Sequence, residues 1–263
     1  MNSETEKFFV LRLTEKESSS IEVEVARELP LTIILNDQEL VTLLCSPADL
    51  RYLAVGFLFS EGLLRSKDEI KSVIVDDERG VVRVETSEDK EFTKDVLFKR
   101  IISSGCGRGA SFYSAADVTS QKVESQMKIS ASEIFVLVNE FQHGSDVYLA
   151  THGVHSAALC DNKRILVFGN DIGRHNAIDK VFGRCLLEDI PTNDRMIMTS
   201  GRISSEILHK VAKRAVPVIV SISAPTNLGV KIADHLGITL VASVRGKRMN
   251  VYTHGWRIIP DGK

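Results

Sequence analysis

The first third of the chain alternates apolar and polar positions at short range. Residues 8–13, 21–25 and 31–35 are brief runs rich in β-branched and aromatic residues, the pattern of half-buried strands. Asn36-Asp37 between apolar runs is a turn signal. The period then lengthens. Leu50, Leu53, Ala54, Phe57 and Leu58 recur at helical spacing. The expected helix takes Ser46 as N-cap, Pro47 as its first residue and Asp49 in its first turn, with Gly62 just past its end. Strands are expected at 72–75 and 81–85. A polar stretch and the apolar run VLFKRII then lead into a glycine-rich loop, Ser103 to Ser111.

Residues 119–128 are polar and read as a linker. Beyond them the pattern switches back and forth between the two periods. Ser130 and Glu133 form a capping-box pattern that opens a helix over 131–143. A strand is expected at 147–150, a bend at 151–155, and strands at 156–160 and 164–168. A helix at 174–187 follows, then a strand at 195–199, a helix at 203–214, a strand at 217–222, a helix at 226–236 and a strand at 238–243. Gly237 is placed as a residue just past a helix end should be. This rhythm predicts an α/β fold, with an α+β N-terminal part over 1–125 and a layered α/β domain over 126–263 whose sheet is at least partly parallel.

Composition adds little to this picture but excludes several classes. The 263 residues are 43% hydrophobic and 26% charged, ordinary for a globular chain. Lys+Arg 33 against Asp+Glu 35 leaves a net charge of −2, so nothing demands a nucleic acid as partner. No apolar stretch approaches the roughly 20 residues that span a bilayer, and the N-terminus lacks a signal-peptide core. A cytosolic location without a membrane partner is expected. Cys45, Cys106, Cys160 and Cys185 are scattered, form no metal-knuckle spacing, and are expected to be free thiols. Three of them lie in apolar surroundings and read as small core residues; Cys106 does not.

Five element junctions gather the polar chemistry, where rigid sheets present their loops. Cys106 stands between Gly105 and Gly107, with Arg108 two residues on and able to favour a thiolate. That pattern fits a reactive thiol and an incidental cysteine in a flexible loop equally well. His152 and His155 flank Gly153, but two histidines alone lack the third ligand a metal site wants, so they read as a structural or ligand-contacting pair. Asp171, Gly173, Arg174, His175 and Asn176 crowd the start of a helix after an apolar strand, where free N–H groups and the helix dipole suit an anion. Ser200, Gly201 and Arg202 repeat that design, with Ser204 as a possible cap, although the segment is not a Walker loop. Arg245, Gly246, Lys247 and Arg248 follow the last predicted strand and could embrace phosphates or carboxylates. Thr226 is expected to cap another helix.

The segments LPLTIILN, SPADLRYLAVGFLFSEGLL, THGVHSAAL, DIGRHNAIDKVFG, TSGRISSEILHK, APTNLGVKIADHLG and RGKRMNVYTH closely resemble the formate dehydrogenase accessory protein family, FdhD/NarQ. The resemblance implies a sulfur carrier. Such a protein takes a persulfide from a cysteine desulfurase and passes its sulfur to the molybdenum or tungsten bis(molybdopterin guanine dinucleotide) cofactor, before that cofactor enters apo formate dehydrogenase. It also implies a cytidine-deaminase-like three-layer C-terminal domain with a mixed sheet and no structural metal, a smaller β-rich N-terminal domain, and a homodimer. The stretch Ser243, Val244, Arg245, Gly246, Lys247 and Arg248 matches the family's cofactor-binding segment, and a GDP-like nucleotide would mimic part of that cofactor. The family loop carries two cysteines as C-G-x-C-G; here Cys106 falls on the first and Gly109 on the second. A single-thiol carrier and a non-catalytic cofactor chaperone are the two readings this leaves.

Overall fold

The computed structural model describes residues 3–87, 100–102, 110–112 and 122–261. The N-terminal half begins with a separate antiparallel ribbon of β1 (Thr5–Leu13) and β2 (Ser18–Ala26). A four-stranded sheet follows, in the order β4 (Gln38–Cys45), β3 (Leu29–Leu35), β6 (Val81–Thr86), β5 (Ile70–Asp76). Asn36 and Asp37 both adopt positive φ, 46° and 61°, as a two-residue turn joining twisted strands requires. The turn signal therefore marked a β3–β4 hairpin. Its second strand, QELVTLLC, is not among the expected strands, because polar residues interrupt its apolar pattern. Leu31, Ile33 and Leu35 pack under Leu53, Ala54, Phe57 and Leu58 of α1 (Leu50–Ser60), as their spacings implied.

The start of α1 differs from expectation. The helix begins at Leu50, and Asp49 precedes it with φ 58° and no side-chain cap bond. Ser46 is not its cap. The Ser46 hydroxyl accepts instead from the Ile172 amide at 3.1 Å, and its own amide donates to Asp171 Oδ2 at 3.0 Å. A distant tertiary partner outcompetes the local cap.

The second half forms a six-stranded mixed sheet in the order β11 (Ile165–Asp171), β10 (His155–Cys160), β12 (Met196–Thr199), β13 (Val218–Ser221), β14 (Thr239–Arg245), β15 (Arg248–Val251). Strands β12, β13 and β14 are parallel; the other pairings are antiparallel. One face packs α4 (Arg174–Leu187), α5 (Ser205–Lys213) and α6 (Asn227–His235) against Leu159, Ile197, Ile219 and Leu240. The opposite face packs α2 (Ala131–His143) against Ala158, Met198, Val220 and Val241. These are the three layers of the expected α/β fold. The capping box at Ser130 and Glu133 is present, and Thr226 caps α6 by accepting from the Gly229 amide at 3.0 Å. The expected strand at 147–150 is instead a short helix, α3 (Asp146–Thr151), capped by Ser145. DVYLAT is too short to show a period, and the cap decided its conformation.

The halves join where α1 crosses α4. A Cβ on Gly56 would lie 1.8 Å from the Asp179 carbonyl oxygen, and one on Gly183 would lie 1.9 Å from that of Tyr52. The two glycines let the helix backbones touch.

Candidate functional site

The topology brings the polar junctions to one edge of the large sheet. The parallel strands β12, β13 and β14 end there, β10 begins there, and β11, antiparallel to β10, ends there. The carboxyl ends of parallel strands are where α/β folds keep their ligands. His155 pairs across the ladder with Asp171, and Ala157 with Thr199, so the segments 171–176 and 199–206 flank His155.

The DIGRHNAIDK segment divides its charges between two jobs. Asp171 is fully buried and all of its acceptor capacity turns inward. Its Oδ1 accepts from the Gly173 amide and from Asn176 Nδ2, both at 2.9 Å. Its Oδ2 lies 2.8 Å from Lys180 Nζ. Lys180 also donates to the Asn170 carbonyl at 2.9 Å and the Ser46 carbonyl at 3.3 Å, and Asn176 donates to the Leu44 carbonyl at 2.9 Å. Asp171, Asn176 and Lys180 thus clamp the end of β4 onto the start of α4. A second internal pair, Asp179 with Lys210 at 2.5 Å, takes a bond from the Ser60 hydroxyl and ties α1, α4 and α5 together. Buried charges are tolerated because each is paired and hydrogen-bonded.

Arg174 and His175 stand part-buried at the sheet edge. The aliphatic stem of Arg174 lies on Gly201, where an added Cβ would meet Arg174 Cβ at 2.8 Å. The structure thereby joins the third and fourth junctions of the sequence. Ser200 Oγ bonds His155 Nδ1 at 3.1 Å and accepts from the Ser156 amide at 3.0 Å. His175 Nε2 stands 3.4 Å from Glu206 Oε2 in the first turn of α5. Burial, with the Lys210 and Arg174 cations adding to it, pushes the His175 pKa down to about 3, so the imidazole is neutral. Burial and Arg174 lower that of His155 against the opposing pull of Asp171. Burial raises that of Glu206. The sequence singles out His155 only as half of a structural or ligand-contacting pair, and Glu206 is not among the expected cofactor contacts; their positions beside Ser200 and His175 bring them to the site.

Arg202 is exposed beside this cluster. Ser204 occupies the N-cap position of α5 without a side-chain cap bond. Ser243 adopts φ 55° within an irregular stretch of β14, and its amide donates to the Ser223 carbonyl at 2.8 Å. Val244 is buried, and Arg245, Gly246, Lys247 and Arg248 form the exposed turn from β14 into β15, with Gly246 at φ 56°. The edge therefore presents cations, two imidazoles and hydroxyls around helix starts, a set suited to a polyanion with a polar ring.

The paired histidines of the sequence diverge. His152 ends α3 in the left-handed region, edge-on to Tyr148, while His155 faces Ser200. Among the described residues no group of three or more His, Cys, Asp or Glu is placed to hold a metal, and no helix is long and apolar enough to cross a membrane. Cys106 lies outside the described residues, between the paired strands β7 (Arg100–Ile102) and β8 (Ala110–Phe112) in sequence. Cys45, Cys160 and Cys185 are buried free thiols, each pushed up to about 12 by burial.

Comparison with known proteins agrees over nearly the whole length. A model of the FdhD/NarQ family matches residues 26–259. The sulfur carrier protein FdhD of Bacillus subtilis is 45% identical over 255 residues, covering 95% of this chain and 95% of that protein. The protein of the same name from Listeria innocua is 44% identical over 241 residues, covering 90% and 92%. A crystal structure described as a candidate formate dehydrogenase accessory protein from Desulfotalea psychrophila matches with a TM-score of 0.82 at 28% identity, covering 98% of this chain and 100% of that one. With the fold, the clustered motifs and these relatives in agreement, the chain belongs to the FdhD/NarQ family.

Proposed function

We propose that this protein is a sulfur carrier that receives sulfane sulfur on Cys106 from a cysteine desulfurase. It delivers that sulfur to the molybdenum or tungsten bis(molybdopterin guanine dinucleotide) cofactor of formate dehydrogenase. The observation that carries the reading is the state of the other thiols. A carrier needs an accessible thiolate near neutral pH. Cys45, Cys160 and Cys185 are buried and held at about 12, which leaves Cys106 to do the chemistry.

In the loading step the Cys106 thiolate attacks the outer sulfur of the donor persulfide. A new S–S bond forms on Cys106, the donor S–S bond breaks, and the donor leaves as a thiolate. No net oxidant is needed. In delivery a reduced metal centre of the client supplies the electron pair that releases the outer sulfur, and Cys106 returns as thiolate. Gly109 in place of a second cysteine makes this a one-thiol cycle with no disulfide branch.

The client is held at the sheet edge. Arg174, Arg202, Arg245, Lys247 and Arg248 take its phosphates together with the helix N–H groups. Ser200, Gly201, His175 and the Ser243–Arg248 turn contact its polar parts, while Asp171, Gly173 and Asn176 hold the shape of the edge. A GDP-like nucleotide serves as a mimic.

The test is mass spectrometry after incubation with a cysteine desulfurase and cysteine. One added sulfur atom is expected on the Cys106 peptide and on no other cysteine. An active desulfurase that leaves that peptide unmodified sinks the carrier reading. Complementation of formate dehydrogenase maturation by Cys106→Ser would replace it with a cofactor chaperone.

A further inference from the structure

Of the helices α4, α5 and α6, which follow β11, β12 and β13, only α5 carries a carboxylate, Glu206, in its first turn. A helix start favours anions. A carboxylate already seated there works against a phosphate, because like charges repel. The start of α5 therefore suits a ligand group that donates hydrogen bonds as well as accepting them.

The fold holds this start rigidly. The Gly201 amide donates to Thr199 Oγ1 at 3.1 Å, and its carbonyl accepts from the Ser221 hydroxyl at 2.7 Å. The Ile203 amide donates to the Ala224 carbonyl at 3.2 Å, and its carbonyl accepts from the Thr226 amide at 2.9 Å. Two side-chain atoms at the same place are left over by these bonds. The hydroxyl of Ser204, at the N-cap position, is sealed from solvent and bonds neither a helix amide nor any other described group. His175 Nε2 is sealed likewise, 3.4 Å from Glu206 Oε2, and makes no hydrogen bond among the described residues. A buried polar group without a partner costs about 1–3 kcal/mol and is ordinarily paired. Two such atoms beside one part-buried carboxylate mark a place for recognition rather than a structural joint.

One kind of ligand edge matches. Guanine and pterins share an amino-oxopyrimidine edge, in which a ring N–H lies between an amino group and a carbonyl oxygen. A carboxylate accepts from the ring N–H and the amino group together, and bonds to an ionised acceptor are the strong ones. The first-turn amides of α5, which have no partner within the helix, and the Ser204 hydroxyl can donate to the carbonyl oxygen. Burial raises the Glu206 pKa while Arg174 and Lys210 oppose it, so the carboxylate sits in a shielded place with cations at hand.

We propose that Glu206 is the specificity-determining residue of this edge: its carboxylate accepts from the ring N–H and amino group of an amino-oxopyrimidine, with His175 behind it and the Ser204 hydroxyl and α5 amides donating to the ring carbonyl. The inference rests on the reading of the edge as the place where the cofactor is held, and adds which atoms select its ring. Phosphates then fall to Arg202 and the exposed Arg245–Arg248 turn.

Calorimetric titration of the full chain tests it with two pairs of probes. Guanosine and inosine diphosphates differ only by the amino group, and hydroxymethylpterin diphosphate differs from its lumazine counterpart by an oxygen in place of that group. In at least one pair the amino compound is expected to bind about tenfold tighter or more. The pair that discriminates names the source of the ring, guanine or pterin. Glu206→Gln should abolish the preference, since its amide cannot accept from both donors, whereas Arg202→Ala should weaken both members of a pair alike and keep their ratio. No preference in either pair overturns the proposal whatever the stability of the variants, and so does a folded Glu206→Gln protein that keeps the preference. Sulfur loading of Cys106 is read separately: loading without a preference sinks this inference alone, and a preference without loading sinks the carrier reading alone.

Discussion

Lys180 Nζ stands 2.8 Å from Asp171 Oδ2, with both side chains sealed from solvent, and the same ammonium reaches the backbone of Ser46 in the other half of the protein. Two residues nine apart in one motif thus hold together elements more than a hundred residues apart. Removing one partner leaves an uncompensated buried charge, which costs about 3–5 kcal/mol. Lys180→Met should lower the urea midpoint accordingly. A variant within about 0.5 kcal/mol of the parent would show that the clamp is dispensable.

The helix crossing gives a second stability prediction. Gly56→Ala would place a methyl group 1.8 Å from the Asp179 carbonyl oxygen. The helices must separate to admit it, and overpacking of this kind costs about 1–3 kcal/mol. The thermal midpoint of Gly56→Ala should fall by several degrees, with Gly183→Ala behaving alike because it meets the Tyr52 carbonyl. Unchanged midpoints in both variants would contradict the close approach.

Thiol reactivity separates the cysteines. With Cys45, Cys160 and Cys185 held at about 12, iodoacetamide at mildly alkaline pH should label Cys106 first in the folded protein. The other three should react only in denaturant. Peptide mass mapping reads this directly, and early labelling of a buried cysteine would undo the argument for Cys106.

Acid should destabilise the protein through its histidines. Burial pushes His175 down to about 3 and His209 to about 4, from an ordinary value of 6.5. Both folded-state values are depressed, so below 6.5 the unfolded chain takes up protons that the native state refuses. The histidine contribution is complete above 6.5 and is lost progressively as pH falls toward 4 and 3. Urea midpoints should drop from about pH 7 to about pH 5, and His175→Gln should flatten part of that slope. Midpoints that rise on acidification in this range would reverse the sign.

Binding at the edge should depend on its cations. Arg202→Ala removes an exposed guanidinium and should weaken binding of a guanine nucleotide by roughly tenfold, without altering stability. Calorimetric titration at two salt concentrations should show a shallower salt dependence for the variant. Equal affinity for variant and parent would remove Arg202 from the site.

Much of this architecture was legible in the order of residues. Alternation and helical spacing are local properties, and they located α1, α2, α4, α5, α6 and most strands of the large sheet. The glycine and arginine junctions were legible for the same reason, since a strand followed by Gly, Arg and a hydroxyl announces a helix start wherever it occurs. The division of labour within DIGRHNAIDK was not. In the sequence Asp171, Arg174, His175, Asn176 and Lys180 are equivalent polar residues; burial made Asp171, Asn176 and Lys180 a clamp and left Arg174 and His175 at the edge. Ser46 looked like a cap because capping is a local rule, and it was taken instead by an amide 126 positions away. The sequence by itself determined the elements, the family motifs and the single cysteine of the glycine loop. Only the tertiary structure decided which charges are spent inside and which stand at the sheet edge, because pairing and desolvation depend on neighbours that the chain brings together only when it folds.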